Sequence, residues 1–340
     1  MASERTALQR FLARVAALVV VLVLAALGIA GYLYMGPYQG FGTQTFVQIE
    51  HGMSSREIAR ILAEHGVVRT PWAFLVFRIL HPQATLQAGE YRFGSAQTPW
   101  QVFQKIQRGE TFYELFTIPE GSNIFDIATL LGQSDTVKPD AFLKAAADPE
   151  PIRDLDPAAP TLEGYLFPSS YRVTHQTTAR QLCLMMTEEF QRQWRKLGGM
   201  EHAADIHRIV TLASLVEKET AVPQERPLVA AVFTNRLRLN MPLQCDPTTI
   251  YAALRENRYN GVIHRSDLAN VSPYNTYAHP GLPPGPITNP GVIALQAALQ
   301  PADTDYLYFV AKPDGSGAHH FSASLEEHEK AVLAYRKNGH

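Results

Sequence analysis

The sequence predicts an α+β protein with one N-terminal transmembrane helix, a small α+β region over 44–134 and a mixed α+β domain over 161–340. Three observations predict it. An uncharged apolar run fills 15–35, a strand-then-helix pattern occurs twice at a spacing of 69 residues, and helix and strand signals alternate again beyond a Pro-rich stretch at 135–160.

The run from Val15 to Met35 is long enough, as a helix, to span the roughly 30 Å hydrocarbon core of a bilayer. A cleaved signal peptide has a shorter apolar core, about 7 to 15 residues, with small residues at its cleavage site. Here the run ends in Tyr32, Tyr34 and Met35, which favours a retained anchor. Arg5, Arg10 and Arg14 precede it, and the next basic residue is Arg56. The positive-inside bias therefore places residues 1–14 in the cytoplasm and the rest of the chain outside it, with Tyr32, Tyr34 and Tyr38 at the outer interface.

With 18% charged residues and a formal charge of −2, the chain has no electrostatic footprint for nucleic acid. Two cysteines, Cys183 and Cys245, exclude a disulfide scaffold and a Cys-rich metal site, and leave open whether the two pair. His264, His279, His319 and His320 lack metal-ligand spacing, so no metal or cofactor is expected.

Along the chain, Thr45–Glu50 alternates as a strand, and Ser54 with Glu57 forms a capping box ahead of Ile58, Ile61 and Leu62. Ile49, Gly52, Ile58, Ala59, Ile61 and Leu62 recur as Ile118, Gly121, Ile127, Ala128, Leu130 and Leu131. Thr70-Pro71-Trp72 and Thr98-Pro99-Trp100 each put a capping threonine and a first-turn proline before an amphipathic stretch, and Ala88–Phe93 supplies another strand. The prolines of 135–160 suggest a connector holding one short helix, capped by Asp140 and ending at Ala147. Helices are then expected over Ile206–Thr220, Pro227–Leu239 and from the Ser324/Glu327 capping box to Arg336, with a strand at Asp305–Val310. Leu243–Pro290, crowded with Asn, Tyr, Pro and Gly, reads as one long functional loop.

Phosphate-binding glycine loops, nucleophile elbows, His-Glu-x-x-His and Cys-x-x-Cys are all missing. What remains is Leu212–Thr220, where Glu217 and Glu219 end an otherwise apolar helix. A helical wheel centres the apolar face near Ile209, Ala213 and Val216 and puts each glutamate roughly 80° from that centre, on opposite sides. Angle does not choose between them. Neighbours do: Glu219 is backed by Val216, Leu215 and Leu212, and Glu217 by the smaller, more polar Ser214, Ala213 and Val210. An apolar surround raises a carboxyl pKa, as a general acid near neutral pH requires, so Glu219 is the better acid. Lys218 falls on the polar face and Ser214 roughly 140° from the apolar centre, which speaks against a serine–lysine nucleophile. Asn235, Gln244, Asp246, Tyr251, Tyr274, Asn275 and Tyr277 have the chemistry of a sugar cleft, with rings to stack on pyranoses and polar groups to bond hydroxyls. Glu163, beside a glycine turn, is a third acidic candidate.

Six segments in order, Leu162–Pro168, Ala213–Thr220, Phe233–Leu237, Leu243–Pro247, Tyr274–Tyr277 and Gly281–Gly285, resemble the endolytic murein transglycosylases of the MltG (YceG-like) family. The resemblance implies a membrane helix, a LysM-like module over 44–134 and a catalytic domain over 161–340. Glu219 matches the family's catalytic acid, with Glu217 and Glu163 as possible supporting acids. The implied reaction cuts the β-1,4 bond between N-acetylmuramic acid and N-acetylglucosamine without water and leaves a 1,6-anhydro end. The implied setting is nascent glycan at the bacterial inner membrane, with the catalytic domain periplasmic and peptidoglycan synthases as partners. A muramidase-type hydrolase and a non-catalytic peptidoglycan-binding scaffold are the alternatives. Two positions depart from the family pattern: Ser169-Ser170 stands where an Asp-Thr pair is common, and Cys245 where threonine is common.

Overall fold

The computed structural model describes residues 2–134 and 136–338. Met1, Asp135, Gly339 and His340, which fall within the expected segments 1–14, 135–160 and 161–340, lie outside the described residues. Contacts divide the chain into two units, one ending at Tyr113 and one beginning at Glu114.

In the first unit, α1 (Ala2–Met35) is longer than the expected 15–35, because the good helix formers Ala, Glu, Leu, Gln and Arg before Val15 continue it. Its Leu12–Tyr32 stretch is long and apolar enough to cross a membrane, and none of it is buried in protein. Beyond it come β1 (Thr45–Ile49), α2 (Ser55–Glu64), α3 (Pro71–Leu80), β2 (Gly89–Phe93) and α4 (Pro99–Arg108). β1 and β2 pair antiparallel, from Thr45 opposite Phe93 to Ile49 opposite Gly89. The alternation in β1 buries Val47 and Ile49, against which α2 packs Ile58, Ala59 and Leu62 and α4 packs Val102, Phe103 and Ile106. Ser54 and Thr98 cap α2 and α4 through full capping boxes. Thr70 does not cap α3: its φ of −145°, against −74° at Thr98, turns the hydroxyl away from the first turn.

The second unit opens with β3 (Glu114–Thr117), α5 (Ile124–Leu131), α6 (Pro139–Ala146) and β4 (Ser170–Val173). β3 pairs antiparallel with β4, from Glu114 opposite Val173 to Thr117 opposite Ser170. The second copy of the strand–helix pattern therefore belongs to this unit, and the break falls at 113/114 instead of the expected 134. Nor is 135–160 a bare connector, because Phe142, Ala146, Ile152 and Ala159 are buried in the large core. Lys138, not Asp140, is the N-cap of α6, and Asp140 sits in the first turn, where a carboxylate complements the helix dipole.

Then follow α7 (Ala179–Lys196), α8 (Ile206–Glu219), α9 (Arg226–Arg238), α10 (Asp246–Arg255), α11 (Arg265–Leu268), α12 (Val292–Leu299), the hairpin β5 (Tyr308–Ala311) and β6 (His319–Ser322), and α13 (Leu325–Asn338). Leu243–Pro290 is thus not one loop, since α10 and α11 interrupt it. α8 packs against α9, α10 and α12 and is buried on every side from Ile209 through Glu217. Ser214, which the wheel placed on the polar face, is fully buried, donates to the Thr211 carbonyl and accepts from the Ile287 N–H. Cys183 and Cys245 are separate, buried free thiols.

Candidate active site

α8 ends at Glu219 because Thr220 turns extended and the chain reverses toward α9. That reversal is bracketed. Glu225 accepts from the Thr220 hydroxyl, and from both the backbone N–H and ring Nδ1 of His319 on β6, at 2.8 and 2.7 Å. Glu219 itself is half-buried, and the Cys245 thiol bonds its carboxyl. Burial pushes its pKa up and the negative Asp246 adds to this, while the thiol hydrogen bond, His319 and Arg236 pull the other way. The carboxyl thus keeps its proton at higher pH than an ordinary glutamate. Burial and the carboxylate together hold the Cys245 thiol protonated, so it acts as a weak donor.

The other two acids are committed to structure. Glu217 forms a buried ion pair with Arg226 at 2.6 Å and accepts the Gly291 N–H at 2.9 Å, which ties α8 to the starts of α9 and α12. Glu163 lies in no surface turn. It is 1% exposed and accepts the Ile124 N–H at 3.0 Å and the Asn289 amide at 2.9 Å. It also bonds the Tyr251 hydroxyl, and burial raises its pKa to about 8. Gly164 beside it has φ +89°, and a Cβ there would meet Pro286 Cγ at 2.4 Å.

The seven candidate sugar-binding residues separate in the same way. Asn235 gives its amide to the carbonyls of Thr304 and Tyr306, and Asn275, fully buried, gives its amide to Asp267, Leu268 and Asn270. Tyr251 and Tyr274 are buried against each other, with ring centroids 5.1 Å apart and Arg255 over the Tyr274 face. These four are packed into the scaffold by those contacts. Gln244 and Asp246 are exposed, and the half-buried Tyr277 donates its hydroxyl to Asp246 at 2.5 Å. Gln244 has φ +52°, an unfavourable left-handed backbone for a non-glycine residue. Tyr277 and Asp246 both act electrostatically on Glu219 or on each other, which places them beside the acid.

The sequence pattern of the YceG-like family matches residues 47–334, most of the chain. The chain belongs to the YceG-like family. It is 32% identical over 312 residues to the endolytic murein transglycosylase of Bacillus subtilis, covering 86% of this chain and 85% of that protein. To the endolytic murein transglycosylase of Streptococcus pneumoniae it is 29% identical over 319 residues, covering 85% of this chain but only 58% of the longer relative. A crystal structure of a YceG-like protein from Listeria monocytogenes aligns with a TM-score of 0.57 at 33% identity, covering 84% of this chain and 98% of that one.

Within this YceG-like site, sequence reasoning passed over Arg236, Glu225 and Asn289 and weighed His319 only as a metal ligand. Arg236 braces the site by donating to the Leu307 and Leu243 carbonyls at 2.7 and 3.0 Å. It lies in the Phe233–Leu237 segment that carried the resemblance, so a signal for it existed. Asn289 joins Gly164, Leu166, Ser122 and Glu163 through one side chain, and nothing local in Thr288-Asn289-Pro290 announces that.

Proposed function

We propose that this YceG-like protein is a peptidoglycan lytic transglycosylase in which Glu219 is the single catalytic acid and base. The observation that carries this reading is that Glu219 alone of the three acids has no ion pair or backbone bond consuming its carboxyl among the described residues, while burial favours its protonated form. Its proton passes to the oxygen of the β-1,4 bond between N-acetylmuramic acid and N-acetylglucosamine as that bond breaks. The carboxylate then takes the proton of the muramic C6 hydroxyl as its oxygen closes on C1, giving a 1,6-anhydro ring and consuming no water. Hydrolysis ordinarily needs a second carboxyl flanking the bond. With Glu217 and Glu163 occupied, neither α8 nor the 162–168 turn offers one, and Asp246, the carboxylate beside Glu219, is bonded by the Tyr277 hydroxyl. Gln244, Asp246 and Tyr277 are the groups left to meet glycan hydroxyls.

The β1–α2–α3–β2 arrangement supports a LysM-like reading of the first unit. The basic residues before α1's apolar stretch support an N-terminus in the cytoplasm and a catalytic unit on the periplasmic side of the inner membrane. Such an enzyme acts on nascent strands near the membrane, where their synthases work, and ends their elongation.

The deciding experiment digests purified glycan strands with the detergent-solubilised chain and reads the product ends by mass spectrometry. Anhydro ends are expected. Ordinary reducing ends would instead show a muramidase-type hydrolase, and uncut strands a binding scaffold. Glu219→Gln should lower cleavage by a factor of about 10² to 10⁴ or more, the usual worth of a positioned acid–base group.

A further inference from the structure

α3 has two apolar faces. One is covered: Ala73 and Phe74 are buried, and Phe77 packs on Trp100 with centroids 5.2 Å apart. On the other, Trp72, Val76 and Ile79 follow the spacing i, i+4, i+7 and Leu80 extends the strip, with Val76 half-buried between them and Leu75 at its margin packing on the core. Trp72 and Ile79 are each 69% exposed and Leu80 64%. The only charge on this ten-residue helix, Arg78, is turned onto Ser55 and the carbonyls of His81, Pro82 and Ala84, so it does not make the outer face polar. A contiguous apolar strip left open to solvent in this way marks a docking surface.

The chain's own path identifies what covers it. α1 ends at Met35, and only Gly36 and Pro37 separate it from Tyr38, which exchanges two backbone hydrogen bonds with Gln97, at 3.0 and 3.2 Å. Gly40 then bonds the Gly66 carbonyl at 2.8 Å, and the Arg69 guanidinium lies 4.7 Å over the Tyr38 ring. Arg69 stands three residues before Trp72. Three extended residues reach roughly 10 Å, so Tyr38 and the Arg69 guanidinium over it are held close to the end of α1, with α3 beginning two residues beyond Arg69.

We propose that the outer face of α3 docks on the lipid bilayer that holds α1, with Trp72 at headgroup level and Ile79 and Leu80 directed into the acyl region. Trp is the residue best suited to that interface, and an apolar helix face buries a few ångströms into it. The proposal rests on the reading of α1 as a retained anchor. It goes beyond the catalytic reading, giving the first unit a second membrane contact that fixes its orientation.

The test reconstitutes the full chain in phosphatidylethanolamine–phosphatidylglycerol vesicles containing acyl-brominated lipid. Of the three tryptophans, the contribution of Trp72 is isolated by comparison with Trp72→Phe. The expected result is quenching of the Trp72 emission by lipid bromine and protection of it from aqueous iodide. A double variant, Ile79→Lys with Leu80→Lys, should lose the bromine quenching while still floating with the vesicles. Quenching by iodide alone, or by neither agent as under a second copy or another protein, would overturn the proposal while leaving the anchor reading intact. A chain that fails to float overturns the anchor reading and this inference with it.

Discussion

The strand–turn–helix pattern at 45–64 and its counterpart at 114–131 begin from the same sequence logic and end in different settings. In the first, Gly52 turns at φ +86° with no atom near its missing Cβ, and the box at Ser54 and Glu57 faces solvent. In the second, Gly121 turns at φ +75°, but its Cβ would sit 3.6 Å from Glu217, and the Asn123/Asp126 box is joined by the buried Glu163 on the Ile124 N–H. Glu120 beside it lies 3.8 Å from Arg226, partner of Glu217. One local motif therefore serves as plain structure in one unit and as the bracket around two buried acids in the other. The difference comes from what packs on it.

Substitutions can break or sharpen that contrast. The largest effect is expected from Glu217→Ala, which leaves Arg226 buried without its close partner and should cost the second unit about 3 to 5 kcal/mol in denaturant unfolding. Glu219→Gln, by contrast, should leave stability nearly unchanged while removing activity. Glu163→Ala should cost about 2 to 3 kcal/mol by stranding the Ile124 N–H and the Asn289 amide, whereas Glu57→Ala at the matching helix start should cost only about 0.5 to 1 kcal/mol.

Glu163 also has a pH signature. Its folded pKa, about 8, lies above the ordinary carboxyl range, so its contribution to stability is full below that range and is lost as pH rises toward 8. Glu163→Gln, a mimic of the protonated form, should flatten this part of the stability–pH curve, and the slope between pH 5 and 8 reads it. Next, Gly52→Ala and Gly121→Ala should each cost about 1 kcal/mol from backbone strain at positive φ, and nearly equally, because the extra neighbour of Gly121 lies at ordinary contact distance. The smallest effect lies outside both copies. Cys245→Thr puts a stronger donor against Glu219 and should move the alkaline limb of the activity profile to lower pH, and Cys245→Ala should move it higher.

How far such distinctions were legible depended on range. Capping boxes at Ser54 and Ser324, the capping threonine Thr98 and the helix carrying Glu219 follow from contacts within four residues, and these the sequence states directly. Burial raises the pKa of Glu219, the direction its apolar neighbours suggested, but it raises those of Glu217 and Glu163 too, so that signal does not choose among the acids. The helical wheel failed for Ser214 and Glu217 because it assumes one wet face, and α8 has none from Ile209 through Glu217. Composition offered Asn235, Tyr251, Tyr274 and Asn275 as groups for a sugar cleft, but their burial and their partners, 5 to 71 residues away, are named by no local pattern. The break at 113/114 was hidden for the same reason, since only the pairing of β3 with Ser170–Val173 reveals it.

The two residues between α1 and Tyr38 carry a kinetic consequence. On the reading of α1 as a retained anchor, an enzyme so closely moored to a bilayer meets its substrate by lateral diffusion in a plane, and its encounter rate scales with copies per unit of membrane area instead of with concentration in a volume. On that reading, cutting tracks the number of copies per unit of membrane surface.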